Sequence, residues 1–224
     1  TEVKSHKKGD KANASWLSFN AHTGTHIDAP RHFVTTDPTG VDEIDLRVIN
    51  GPALLVDAFG AAALTAEVLA SLDIPRGVRR LLFRTDNTRR GLMRATPFAE
   101  DYVGFSADGA EWMVTQRPEV RAIGIDYLSI ASLADLVEGH VTLLGAGVVP
   151  IEGLMLPEPE PEPEPKAEEP EPASGAAGAD GAKGAEGAAG TGIKAGWWFL
   201  HCAPLKLEGS DGAPARAYLT PLHG

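Results

Sequence analysis

The sequence predicts a single α/β domain with a mixed central sheet flanked by helices. Short apolar runs bounded by glycine or proline alternate with stretches of helical periodicity, the pattern of buried strands joined by helices. At 224 residues and 43% apolar, the chain is long enough to bury one sizeable core. A segment of biased composition, residues 157–193, interrupts this alternation without ending it. The expected domain therefore comprises residues 1–156 and 194–224 together.

In chain order, residues 14–19 read as a strand leading into a histidine-rich run. Residues 52–58 and 78–84 read as buried strands. Between them Thr65 caps a helix that stops before Pro75. Residues 106–116 form a second helix candidate with Ala110, Met113 and Val114 on one face, and residues 120–126 a further strand. Residues 132–144 look helical, with Ser132 as cap and Gly145 or Gly147 as stop; residues 148–152 are then a strand. Residues 157–165 are a strict Pro-Glu repeat, which sustains neither helix nor ladder and whose like charges repel, so an extended spacer is expected. Glycine recurs at every third position from Gly175 to Gly190. The other positions lack the proline of a triple helix, and a flexible, disordered Gly-Ala linker is the better reading. Structure resumes with a strand over 197–205, paired with 215–219 across the polar turn 208–212.

The formal charge of −11 is concentrated: residues 156–190 hold nine carboxylates against Lys166 and Lys183, so the remainder carries only −4. Nothing is basic enough to track a phosphate backbone, and nucleic-acid binding is not expected. A single cysteine, Cys202, excludes an intrachain disulfide and allows a reducing compartment. No apolar run reaches the roughly 18–20 residues of a membrane span. The polar N-terminus lacks the apolar stretch of a secretory signal. A cytoplasmic protein with no membrane partner is the default expectation.

Residues 22–32, His-Thr-Gly-Thr-His-Ile-Asp-Ala-Pro-Arg-His, concentrate three imidazoles and a carboxylate, the ligand set a borderline divalent metal prefers. His22 and His26 have helical spacing, but Gly24, two β-branched threonines and Pro30 argue against a helix. A strand end or tight loop fits better. In extended chain His26 and Asp28 project to one side, as do Asp28, Pro30 and His32. Gly24 permits a turn that folds His22 back towards the same point.

The pattern His-x-Gly-Thr-His-x-Asp-x-Pro-x-His, filled by His22, Gly24, Thr25, His26, Asp28, Pro30 and His32, resembles the signature of the cyclase family of metal-dependent hydrolases. That family includes bacterial kynurenine formamidases, with isatin hydrolases as relatives. The likeness continues through residues 81–87, 123–129, 144–148 and 204–207, across nearly the whole chain outside 157–193. It implies a swivelling β/β/α-like fold and a metal site of two zinc ions, with one manganese ion as the alternative. In formamidases of the family a His and a Glu twelve residues apart complete that site, and His140 and Glu152 stand at this spacing. By similarity His22, His26 and Asp28 bind the first metal, Asp28 bridges to a second held by His140, and Glu152 contacts both. His32 is the proton donor and acceptor, and Thr23 and Thr25 are expected to support the ligands by hydrogen bonds. A homodimer or homotetramer acting on a small molecule is expected. Family members carry a further strand and a Trp- or Tyr-Pro-Gly segment ahead of the region resembling residues 14–22. This segment is expected to be missing here or supplied by a partner subunit.

The implied reaction is hydrolysis of an amide, formamide or lactam C–N bond in a small substrate, with N-formylkynurenine as the leading named candidate. Lactonase or cyclase activity is the nearest rival; a catalytically inactive metal-binding interaction protein is the rival from another class. Arg84, Asp86, Asn87, Arg89 and Arg90 form a polar cluster after a buried strand, open to a pocket role or to loop hydrogen bonding. Phe33, Trp16, Trp112, Trp197 and Trp198 are candidates for an aromatic wall, with core packing as the other reading. Cys202 is expected to be structural, because its neighbour His201 points to the opposite face of a strand.

Overall fold

Strand-forming runs meet through their apolar faces in the computed structural model, which describes residues 2–159 and 192–222. In chain order these are β1 (Glu2–Lys4), β2 (Ala14–Ser15), β3 (His26–Asp28), α1 (Leu46–Ile49), β4 (Gly51–Asp57), α2 (Ala66–Ser71), β5 (Arg80–Arg84), α3 (Asp86–Arg89), α4 (Ala107–Gln116), β6 (Ala122–Ile125), α5 (Leu136–Gly145), β7 (Val149–Glu152), β8 (Gly196–Pro204) and β9 (Gly212–Pro221). Seven strands close into a barrel in the order β3-β7-β6-β5-β4-β8-β9. β4, β5, β6 and β7 run parallel, whereas β8, β9 and β3 join antiparallel.

The expected α/β domain with a mixed sheet is present, and the sheet closes into a barrel. Closure comes from β9. Its residues Ala215 to Pro221 pair with β8, and Gly212 to Pro214 continue past it to pair with β3. Side-chain alternation then divides the core into two layers. Ile27, Leu55, Leu82, Ile151, Leu200 and Cys202 fill the barrel interior. Leu54, Val56, Leu81, Phe83, Ile123 and Ile125 face outwards and pack with Leu69, Ala110, Met113 and Leu143 of the helices.

Helix starts follow their caps. Thr65 accepts from the Val68 amide and Ser106 from the Gly109 amide, as side-chain oxygens at N-caps do. α5 begins later than expected, with Asp135 at its N-cap. Ser132 instead turns the chain, its carbonyl and hydroxyl both accepting from the Asp135 amide. The expected strand over 14–19 shrinks to Ala14–Ser15, paired with β1 outside the barrel. Trp16 is 69% exposed and Leu17 and Phe19 are exposed with it, so no core face holds this run extended. The expected insertion at 157–193 lies mostly outside the described residues. Its two flanks are fastened by one side chain: buried Arg84 pairs with Asp57 and donates from Nη1 to the carbonyls of Pro157 and Ile193. No helix among the described residues is long and apolar enough to cross a membrane.

Cys202 is 2% exposed inside the barrel, and burial pushes its thiol up to about 12. The thiolate is the reactive form, so at pH 8 the folded protein should resist iodoacetamide while the guanidinium-unfolded chain is labelled. Rapid labelling of the folded protein would remove Cys202 from the core.

Candidate metal centre

On β3, Ile27 points into the barrel, so His26 and Asp28 point out towards the helices. His26 pairs directly with Glu152 of β7 in the strand register, which sets both side chains on one face. His140 reaches this face from α5, its Nδ1 donating to the Leu136 carbonyl one turn back at 2.6 Å. Gly24, with φ +66°, reverses the chain before the strand. Its carbonyl accepts from His26 Nδ1 at 2.8 Å. The same reversal brings His22 Nδ1 to 2.9 Å from Asp28 Oδ1. The 3-10 turn Pro30–His32 carries His32 back over the site, where its ring stacks on that of His22 at 4.0 Å.

The five residues implied as ligands therefore converge from four parts of the chain. Glu152 Oε2 lies 3.1 Å from His26 Nε2, and Glu152 Oε1 lies 3.1 Å from His140 Nε2. Asp28 reaches both rings, 3.5 Å to His26 and 3.7 Å to His140. The Ile130 amide donates to Glu152 Oε1 at 2.7 Å and holds that carboxylate in place. His26, Asp28, His140 and Glu152 are all buried. His22, His26 and Asp28 form one group able to hold a metal ion, and Asp28, His140 and Glu152 another.

A divalent cation fits this arrangement on two counts. Carbonyl oxygens only accept, so the Nδ1 atoms of His26 and His140 carry hydrogen and a neutral ring turns its Nε2 lone pair towards the carboxylates. In addition, His26 Nε2 and Asp28 Oδ2 are buried without a hydrogen-bond partner, an arrangement that costs about 1–3 kcal/mol per group unless something else satisfies it.

The electrostatics show the same demand for positive charge. Burial and the neighbouring Glu152 charge push the Asp28 carboxyl up. Burial alone would raise Glu152 too, but the hydrogen bond to His140 and the attraction of the His140 and His26 rings outweigh it and hold Glu152 at about 2. His22 is raised to about 9: burial opposes protonation, and Asp28 and Asp211 overcome it. His26 and His140 are raised against burial by Glu152. His32 is lowered, chiefly by burial, with His22 and His140 adding to the effect against Asp28 and Asp211.

Other candidates fall elsewhere. Phe33 reaches the site, stacking on His140 at 4.3 Å. Trp112 packs against the helix-side core, Trp198 against the barrel core, and Trp16 and Trp197 are exposed. Thr25 does not touch a ligand; its hydroxyl donates to the Gly153 carbonyl and ties the loop before β3 to the end of β7. Arg84 is structural, and Asp86–Arg89 and Arg90–Asp101 are surface pairs. Asn87 joins a buried hub in which Asp126 also accepts from Thr85 and Thr88. Asn87, Thr88 and Asp126 line a cleft of about 350 Å³ with Leu154 to Glu158, and none of the implied ligands borders it. Asp211, in the turn between β8 and β9, was read only as part of a polar turn. Its Oδ2 lies 3.0 Å from His22 Nε2 and 3.3 Å from His32 Nδ1. No spacing signal links it to the histidines 179 or more residues away; a carboxylate in a Gly-rich turn was the only trace.

With this geometry in place, comparison with known proteins identifies the family. The family described as Cyclase matches residues 3–132. The chain is 38% identical to Cyclase-like protein 1 of Arabidopsis thaliana over 217 residues, covering 95% of this chain and 71% of the relative. It is 27% identical to the kynurenine formamidase of Bacillus cereus, covering 97% and 85%. Among solved structures, a "predicted metal-dependent hydrolase" from Bacillus stearothermophilus superimposes with a TM-score of 0.67 at 29% identity, covering 98% of this chain and 84% of that one. Isatin hydrolase A from Labrenzia aggregata shares the fold, with a TM-score of 0.68 at 20% identity over 100% of this chain and 82% of that one. The chain belongs to the cyclase family.

Because protons occupy raised sites on His22, His26 and His140, a metal must expel them. Proton and metal compete, so apparent zinc affinity should climb as pH rises towards about 9, where His22 loses its proton. Adding zinc to weakly buffered metal-free protein at pH 7 should release protons measurable with an indicator dye. Zinc binding without proton release would place the metal elsewhere.

Proposed function

We propose that this chain is a metal-dependent hydrolase cleaving an amide, formamide or lactam C–N bond in a small substrate. The observation that carries this reading is the convergence of buried His26 and His140 and half-buried His22 on two buried carboxylates, with His26 Nε2 and Asp28 Oδ2 left without a hydrogen bond. His22, His26, Asp28, His140 and Glu152 would hold the metal, with zinc, two ions per site, as the leading choice and manganese as the alternative. When bound, such an ion acts as a Lewis acid towards a carbonyl and lowers the pKa of coordinated water to about 7. Kynurenine formamidase and isatin hydrolase among the relatives support C–N hydrolysis over other reactions of this ligand set.

The protein's own part centres on His32. Burial keeps its ring neutral near pH 7, the state a base requires. Its Nδ1 faces Asp211, which leaves Nε2 to take the proton of an attacking water. The carbonyl carbon becomes tetrahedral; the same Nε2–H then passes its proton to the amide nitrogen as the C–N bond breaks. Phe33, packed face to face on His140, offers an apolar edge beside this position and suits an aromatic substrate such as N-formylkynurenine. The site carries no cluster of unpaired cations among the described residues, in keeping with a small substrate rather than a polyanion.

Protein loaded with zinc or manganese should hydrolyse at least one of N-formylkynurenine, isatin or a simple lactam. His32→Ala should lower turnover by roughly 10²–10⁴-fold while metal content stays at the wild-type level. Loss of metal in that variant would make His32 a ligand. Turnover of lactones alone would favour the lactonase reading, and metal-loaded protein inert towards formamides, lactams and lactones would defeat the enzyme reading.

A further inference from the structure

We propose that Asp211 is a positioning residue of the metal centre, a single carboxylate that fixes the orientation of both His22 and His32 and the tautomer of His32. This rests on the metal-dependent reading of the site and adds a residue outside the histidine motif. Asp211 Oδ2 accepts from His22 Nε2 at 3.0 Å and faces His32 Nδ1 at 3.3 Å. A carboxylate only accepts, so hydrogen is favoured on both of these nitrogens. His22 is thereby held at both nitrogens, its Nδ1 standing 2.9 Å from Asp28 Oδ1, and His32 Nε2 is left open as the proton-transfer atom. One oxygen serving two stacked rings, 4.0 Å apart and 24° from parallel, couples a ligand to the proton shuttle. A carboxylate that orients an imidazole from its far side is a recurring device in metal and acid–base sites.

The turn that carries Asp211 is built to hold this pose. The Asp211 carbonyl accepts from the Ala29 amide at 2.9 Å, and the Ser210 carbonyl from the Val41 amide at 2.9 Å. The Gly209 amide donates to Asp42 Oδ1 at 2.8 Å. Gly212, opposite Asp28 in the β3–β9 register, gives His22 its space. A Cβ there would lie 2.6 Å from His22 Cε1 and 2.8 Å from the Ile27 carbonyl oxygen, so only glycine admits the ring. The histidine motif at Ala29 and the segment after it at Val41 and Asp42 thus grip the turn, and Asp211 is placed without relying on its own side chain, which is 47% exposed. An exposed carboxylate held only as a surface ion pair would contribute little to stability and nothing to the site.

The test uses the full chain and zinc alone as probe, comparing wild type with Asp211→Asn and Asp211→Glu. ¹⁵N-detected imidazole spectra report the tautomer of His32, and competition with a chromophoric chelator reports zinc affinity. In Asp211→Asn, His32 should leave the Nδ1–H form, and zinc affinity should fall roughly 10–100-fold, the usual effect of removing a ligand's hydrogen-bond partner. Asp211→Glu, which keeps the carboxylate, should recover part of that loss. The melting temperature of the metal-free protein should move by less than about 4 °C in either variant, as for an ordinary surface substitution. An unchanged His32 tautomer overturns the proposal whatever the affinity, and so does wild-type zinc affinity in Asp211→Asn. If the wild type itself binds no zinc, the metal-dependent reading fails, and the tautomer comparison alone decides the role of Asp211.

Discussion

Asp28 and Glu152 bury two carboxylates in one space, and their mutual repulsion is the constraint around which the site is organised. Removing a carboxylate from water costs several kcal/mol even after relaxation, unless charge and hydrogen bonds compensate it. His140 and His26 compensate Glu152 and hold it at about 2, while Asp28 is left pushed up by burial and by its neighbour. Opposite shifts in adjacent carboxylates mean that the protein's own groups neutralise one but not both. A divalent cation among these residues would answer both charges and the unpartnered His26 Nε2 and Asp28 Oδ2 together. The raised histidines are the same demand for positive charge, met by protons.

Holding five such groups in register is what the closed barrel does. β3 has only three residues, too few to fix a side chain by its own hydrogen bonds. Pairing with β7 on one edge and β9 on the other removes its freedom to slide. A slip of one residue would turn His26 and Asp28 into the barrel and put Ile27 in the site. Each neighbour also brings chemistry of its own: β7 ends in Glu152, and the turn entering β9 carries Asp211 and the space at Gly212. The chain leaves β7 and returns to β8 through points tied to Arg84. Closure entropy grows only logarithmically with the length between such points, which lets the barrel accommodate an inserted segment.

Local features were legible in the sequence, and long-range ones were not. Thr65 and Ser106 cap their helices as expected, because a cap depends only on residues two or three positions away. The strands over 51–57, 80–84 and 149–152 follow from apolar runs between glycine and proline. The histidine motif is legible as a candidate ligand set through its chemistry, and Gly24 turns as its sequence context required. His140 and Glu152 could be linked to that motif only through family likeness, since neither carries a local signal. Barrel closure was hidden because it depends on β9 continuing beyond β8 to meet β3. The run at 14–19 failed as a full strand for the converse reason: its side chains alternate well enough, but no core face receives them.

The spread of the site along the chain makes its contribution to folding conditional. His22, His26 and Asp28 lie within seven residues and stay near one another in the unfolded chain, where they would offer a metal the same three groups without the rest of the site. His140, Glu152 and Asp211 meet them only when α5, β7 and the β8–β9 turn are assembled. Stabilisation by a ligand depends on the difference between its affinities for folded and unfolded chains, about 4 kcal/mol at a thousandfold excess over Kd when the unfolded chain binds nothing. The distant residues widen that difference, because they strengthen binding to the folded state alone. Against a typical net stability of about 5–15 kcal/mol, this is a large share. The residues that complete the chemistry are therefore also the ones through which a bound metal would select the closed barrel over every partly assembled form.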